Sequence, residues 1–246
     1  MDFKLPTETV ELPSKGLLYP EGHPLAEGKV EIKYMTAREE DILTNPNFIR
    51  QGVVIDKLLQ SLIVTKVDYD DLLIGDKDAI MMAARILGYG KDYTFRYRGE
   101  EITCDLSSDI KEKYLDETKL LEKGKNEFSY TLPNTKNVLT FKLLNQRDDK
   151  AIDKEVEGLK KINKNNSYEY TTRLKHIILS VNGDYEKKTI REFVETAFLA
   201  RDARAFREYY AELAPGLDTK ITHVFADGEE GEVEIQFGTT FFWPGS

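Results

Sequence analysis

Cys104, the scattered histidines His23, His176 and His223, and the acidic turn Asp68-Tyr69-Asp70-Asp71 are where this chain could do chemistry. A thiol nucleophile needs an adjacent base. Cys104 instead sits in an alternating run, Ile102-x-Cys104-x-Leu106, and reads as a small buried hydrophobe. A lone cysteine can form neither an internal disulfide nor a thiolate metal cage. His176 lies on a helical stretch with no second ligand four residues on, so it reads as a solvated or core-edge histidine. Asp68, Asp70 and Asp71 begin like a calcium loop, but the sixth position, which must be glycine, is Leu73. Gly88-Tyr89-Gly90 lacks the remaining glycine and the Lys-Ser/Thr of a phosphate cradle and reads as a helix stop. No Gly-x-Ser-x-Gly elbow occurs. Two carboxylates suffice for glycoside hydrolysis, yet none of the 44 acidic residues stands in an aromatic, carbohydrate-binding context. The expectation is a protein without catalytic residues, cofactor or metal.

Composition points the same way. The chain has 246 residues, 40% of them hydrophobic, enough for one or two ordinary cores. Its formal net charge of −9 argues against gripping nucleic acid phosphates, which takes a cationic face. The lysine runs at 160–164 and 187–188 are diluted by acids and asparagines and read as solvated helix ends. No stretch approaches the ~20 apolar residues of a membrane span, and no basic-then-apolar leader opens the chain. A soluble cytoplasmic protein is expected.

The elements that would position these residues form an α+β pattern: a helical body with several small antiparallel hairpins. Val30, Ile32 and Tyr34 alternate as in a strand; Thr36 and Glu39 spell a capping box. One helix should end before Pro46, and a second, from Phe48, carries Val54, Ile55, Leu58, Leu59, Leu62 and Ile63. Leu72 to Ile74 looks strand-like, and Asp76 looks like the cap of a third helix closed by Gly88. Hairpins are expected over 93–106, 128–143 and 221–237, the first and last resembling each other in length and alternation. A charged helix or turn should fill 109–123. Helices are expected over 148–164, 170–181 and 190–199, with another capped by Asp202 and ending before Pro215-Gly216. The division anticipated is an arm over 1–28, a strand–helix–hairpin segment over 29–123, and a second mixed segment over 124–246.

The two ends carry the candidate binding residues. Pro13, Pro20 and Pro24, with Gly16, Gly22 and Gly28, should keep 10–28 out of helix and ladder alike. That arm nevertheless carries Leu12, Leu17, Leu18, Tyr19 and Leu25. At the other end Phe241, Phe242 and Trp243 are consecutive, so they cannot all point inward from one regular element. Leu12, Leu17, Leu18 and Tyr19, with Phe242 and Trp243, are expected to lie across another protein. Truncating residues 1–28 should then abolish binding and leave the rest folded.

Several phrases occur in order along the chain: VELPSKGLLYPEGHPLAEGKVEIKYMTAREEDIL, QGVVIDKLLQSLIV, DYDDLLIGDKDAIMMAARILGYG, YTLPNTKNVLTFKLL, TTRLKHIILSVNGD, RDARAFREYYAELAPGLD and the FFWP ending. Together they resemble the baseplate hub assembly proteins, or hub assembly chaperones, of T-even-type contractile-tailed phages. The resemblance implies non-enzymatic work in tail morphogenesis, in the host cytoplasm and with a place in the virion as the alternative. Its implied partners are hub, central-spike or tape-measure proteins, with no nucleic acid and no membrane. A peptidoglycan-cleaving tail enzyme is the third reading. Relatives place Cys-x-x-Cys pairs in the two similar hairpins; here the corresponding turns read Arg96-Tyr97-Arg98-Gly99 and Ala226-Asp227-Gly228-Glu229. These hairpins resemble degenerate zinc ribbons held by hydrogen bonds and packing, and no metal residue is carried over.

Overall fold

Thr7–Glu11 (β1) is exposed except at half-buried Val10, while Lys29, Glu31 and Lys33 alternate with buried Val30 and Ile32 in Lys29–Lys33 (β2). The two strands pair antiparallel, with Glu11 opposite Lys29. In this computed structural model, which describes residues 5–162 and 167–242, the segment over 10–28 is therefore not excluded from the ladder. Pro13 falls two residues beyond β1, where it removes no ladder donor. Nor is the segment extended. The Leu12 N–H donates to the Gly28 carbonyl at 2.8 Å and closes a loop of successive reverse turns. Gly16 and Gly28 face each other across its neck with φ of 73° and 71°. A Cβ on Gly16 would sit 2.4 Å from the Ala26 carbonyl oxygen, so a side chain fits neither the conformation nor the space.

Thr36 caps Ala37–Leu43 (α1) through the anticipated reciprocal box with Glu39. The expected second helix is two. Asn45 caps Pro46–Gln51 (α2), left-handed Gly52 ends it, and Val54–Leu62 (α3) buries Val54, Leu58, Leu59 and Leu62. After a 3-10 turn at Tyr69–Asp71, Ile74–Tyr89 (α4) runs through the core and stops at Gly90 rather than Gly88. Asp92–Tyr97 (β3) and Glu100–Asp105 (β4) form the first hairpin. Its Arg98-Gly99 turn has positive φ at both positions, the handedness that matches strand twist. Lys111–Lys113 (β5) lies in the charged stretch expected to be helix or turn.

Phe128–Thr131 (β6) and Val138–Phe141 (β7) make the second hairpin, followed by Gln146–Ile162 (α5). The helix expected over 170–181 divides into Glu169–Ile177 (α6) and Ile178–Val181 (β8), which joins β7 to give the order β6-β7-β8. Leu174, Ile177, Ile178 and Val181 satisfy the helical period, but a short apolar run also suits a buried strand, and the open edge of β7 decides. Lys187–Glu192 (α7) passes into a π-helical turn at Phe193–Ala197, and Ala200–Leu213 (α8) follows. Gly216–Asp218 (β9) pairs with β5, while Lys220–Val224 (β10) and Glu230–Glu234 (β11) form the last hairpin. A 3-10 turn spans Thr239–Phe242.

The fold is α+β, with its small antiparallel sheets set among the helices. The buried apolar side chains form one cluster running from Leu12 to Phe242, so the segments over 1–28, 29–123 and 124–246 share a core. Within it Phe141 lies 5.6 Å from Phe128 and meets Phe206 edge-on at 5.1 Å.

Candidate functional site

Two aspartates that look like helix caps show how the loops are held. Asp76 and Asp202 lie in the first turns of α4 and α8, and each reaches out to bind a remote loop. Asp76 accepts from the Ser14 N–H at 2.9 Å, the Ser14 hydroxyl at 2.7 Å and the Tyr19 hydroxyl at 2.9 Å. The Leu73 N–H donates to the same tyrosine oxygen at 3.1 Å. Burial pushes the Asp76 carboxyl up against the lowering effect of these donors, and pushes the Tyr19 phenol up as well. Asp202 accepts from the backbone and side chain of both Asn134 and Thr135, at 2.8–3.0 Å, and pins the β6–β7 turn. For Asp202, burial raises the carboxyl, but the four donors outweigh it and hold it at about 2.

This geometry overturns the expected role of the arm. Leu12, Leu17, Leu18 and Tyr19 are all buried in the chain's own core, and Tyr19 stacks on His23 with ring centroids 4.9 Å apart. Each leucine so buried contributes ~1.5–3 kcal/mol to folding, so truncation over 1–28 would remove core rather than a detachable tag. The apolar content of the arm is used internally, because Ser14 and Tyr19 find their partner in α4 and Leu115 and Gly124 donate to Pro13 and Leu17.

Phe242 is corrected likewise: it is fully buried, as is Phe241, and the two rings meet edge-on at 5.7 Å. A 3-10 turn directs consecutive side chains inward in a way no strand does. Arg85 holds this turn. Its guanidinium is buried, donates to the Phe241 carbonyl at 3.0 Å and the Gly90 carbonyl at 2.8 Å, and lies over Tyr89 and Tyr93. Trp243 lies outside the described residues.

The residues weighed for chemistry are engaged structurally. Cys104 is buried, and burial, with Asp109 and Asp105 nearby, pushes its thiol up to about 11, far from a nucleophilic thiolate. Arg147 donates to Asp68 and Asp71 at 2.9 Å, and Lys150 pairs with Asp70, so the acidic turn is clamped to α5. His176 contacts Glu155 at 3.1 Å. The two similar hairpins lie against each other. The Ala226 N–H donates to the Glu100 carboxylate at 3.1 Å, and the Arg98 guanidinium lies 5.3 Å over Phe225. Among the described residues no group of three or more His, Cys, Asp or Glu is placed to hold a metal, and no helix is long and apolar enough to cross a membrane. Compared with family models, curated proteins and solved structures, the chain matches none.

Proposed function

We propose that this protein is a non-enzymatic assembly factor for the baseplate hub of a contractile phage tail, acting through protein contacts in the host cytoplasm. The observation that carries this reading is the collinear run of phrases resembling that family from Val10 to Pro244. Its physical support is that Cys104 and the acidic turn are engaged in packing and ion pairs, leaving the outer surface to act. With the arm internal, contact falls to exposed anchors. Tyr170 on α6, Leu199 at the start of α8 and Arg207 about two turns further along α8 are exposed: the Tyr170 hydroxyl contacts the Ala203 carbonyl, and Arg207 lies 5.2 Å over the Tyr170 ring. Tyrosine and arginine are the residue types that dominate interface energetics.

The test is co-purification of the tagged chain with hub, central-spike and tape-measure proteins of a contractile tail, expressed together. Capture of one of them is expected, and paired Tyr170→Ala and Leu199→Ala should weaken it while leaving the fold intact. A chain that captures none of the three overturns the reading.

A further inference from the structure

The start of α4 meets β9 at an incompletely filled part of the structure. A cleft of about 380 Å3 opens there, walled by Leu73, Ile74, Leu144, Ile177, Ala214 and Leu217. Four titratable side chains line it, and three are committed. Lys113 donates to the Ala211 carbonyl, Arg173 to Asp149 at 3.0 Å, and the Tyr210 hydroxyl accepts from the Leu144 N–H at 3.2 Å. The fourth, Asp78, has no hydrogen-bond or ion-pair partner among the described residues. The cleft thus presents apolar walls and one unpaired carboxylate, in the volume range of small-ligand sites.

We propose that this cleft binds an alkylammonium group, its hydrocarbon stem against the leucine and isoleucine walls and its ammonium on the Asp78 carboxylate. Asp78 is half-buried, and a carboxylate partly withdrawn from water with no partner recovers that desolvation cost when a cation with matching hydrogen bonds reaches it. An anion would meet Asp78 as a like charge, and the two cations in the walls already have partners. The inference stands apart from the tail-assembly reading, because it rests on the cleft alone.

Ionisation of Asp78 gives the binding a pH signature. Burial raises its carboxyl to about 6; Lys77 on its own helix lowers it and Asp149 on α5 raises it further. Lys77 is bonded to Asp56 at 2.8 Å and Asp149 to Arg173, while Lys113 and Arg173 are the other charges in the cleft.

Titration of the full chain with n-pentylammonium, followed calorimetrically at about pH 7.5 and about pH 5, tests the proposal. Saturable binding is expected, weakened about tenfold at the lower pH as the carboxyl takes up a proton. Asp78→Asn should weaken it by at least about tenfold without lowering the unfolding temperature, since that carboxylate makes no hydrogen bond or ion pair among the described residues that the substitution would break. Nα-acetyl-lysine N-methylamide carries the same group on a peptide. Tighter binding than n-pentylammonium assigns the occupant to another protein's lysine, and weaker binding assigns it to a free amine. Arg173→Gln should leave binding in place. Equal binding of pentanol, preference for pentanoate, no n-pentylammonium binding, or an unaffected Asp78→Asn chain would each overturn the proposal.

Discussion

Glu39 shows how much a single side chain can carry. Its carboxylate is fully buried and accepts from the Thr36 N–H at 2.9 Å, the Thr36 hydroxyl at 2.6 Å and the Lys33 ammonium at 2.8 Å. Desolvation raises the carboxyl, but these donors outweigh it and bring it from 4.5 to about 2. The folded chain therefore releases this proton more readily than the unfolded one. Its contribution is complete above the unfolded value and drains away as pH falls from about 4.5 towards 2. Glu39→Gln should cost on the order of 1–3 kcal/mol in urea unfolding near neutrality, with the deficit against the parent chain shrinking below about pH 4. A deficit independent of pH would mean that packing, and not the charge, is what glutamate supplies. Thr36 and Glu39 were legible because a capping box is local: its partners sit three residues apart. Asp76 and Asp202 were misread for the complementary reason. Both sit near a helix start, where cap statistics apply, but their donors come from loops 62 and 68 residues away in sequence.

At the scale of elements the same division holds. The hairpins of β3 with β4, β6 with β7 and β10 with β11 were readable from alternation flanking a turn, because each closes within a few residues. The pairing of β5 with β9 joins Lys111 to Asp218 and leaves no local trace. β8 was hidden inside a helical period, and its place beside β7 depends on a strand edge left open by β6. The seat of α4 on β9 also escaped the sequence, although one residue records it. Gly75 lies inside the first turn of α4, where glycine is a poor helix former. A Cβ there would come 1.9 Å from the Pro215 carbonyl oxygen and 2.7 Å from its carbon, backbone atoms with no rotamer to escape into. Gly75→Ala gains helix propensity of about 1 kcal/mol but must push β9 away. A net loss on the order of 1–3 kcal/mol is expected, read as a lower unfolding midpoint. A midpoint equal to or above that of the parent chain would show that β9 yields freely.

Across the whole molecule, the contacts that cross from the segment over 29–123 to that over 124–246 decide whether either can stand alone. The Ile74 N–H donates to the Leu144 carbonyl and the Gln146 N–H to the Leu72 carbonyl. Arg147 and Lys150 clamp the acidic turn, β5 pairs with β9, Arg85 holds the Phe241 carbonyl, and Glu100 holds the Ala226 N–H. Separating the segments would strand the buried Arg85 guanidinium and expose the faces of α4 that meet β9 and the Thr239–Phe242 turn. The loop over 12–28 is tied in as firmly, through Ser14 and Tyr19 on Asp76. An isolated chain over 29–123 would lack both that loop and β9, and would leave the Asp76 carboxylate buried with no donor or exposed at the expense of the core. Neither segment should then fold by itself. The full chain should unfold in urea in a single transition, with far-ultraviolet and near-ultraviolet circular dichroism falling on one curve. Two resolved transitions, or a separate segment over 124–246 with dispersed amide resonances, would mean that the shared core is an interface between independent units. The loop, the helices and the final aromatic turn would then have to be reassigned to one unit or the other.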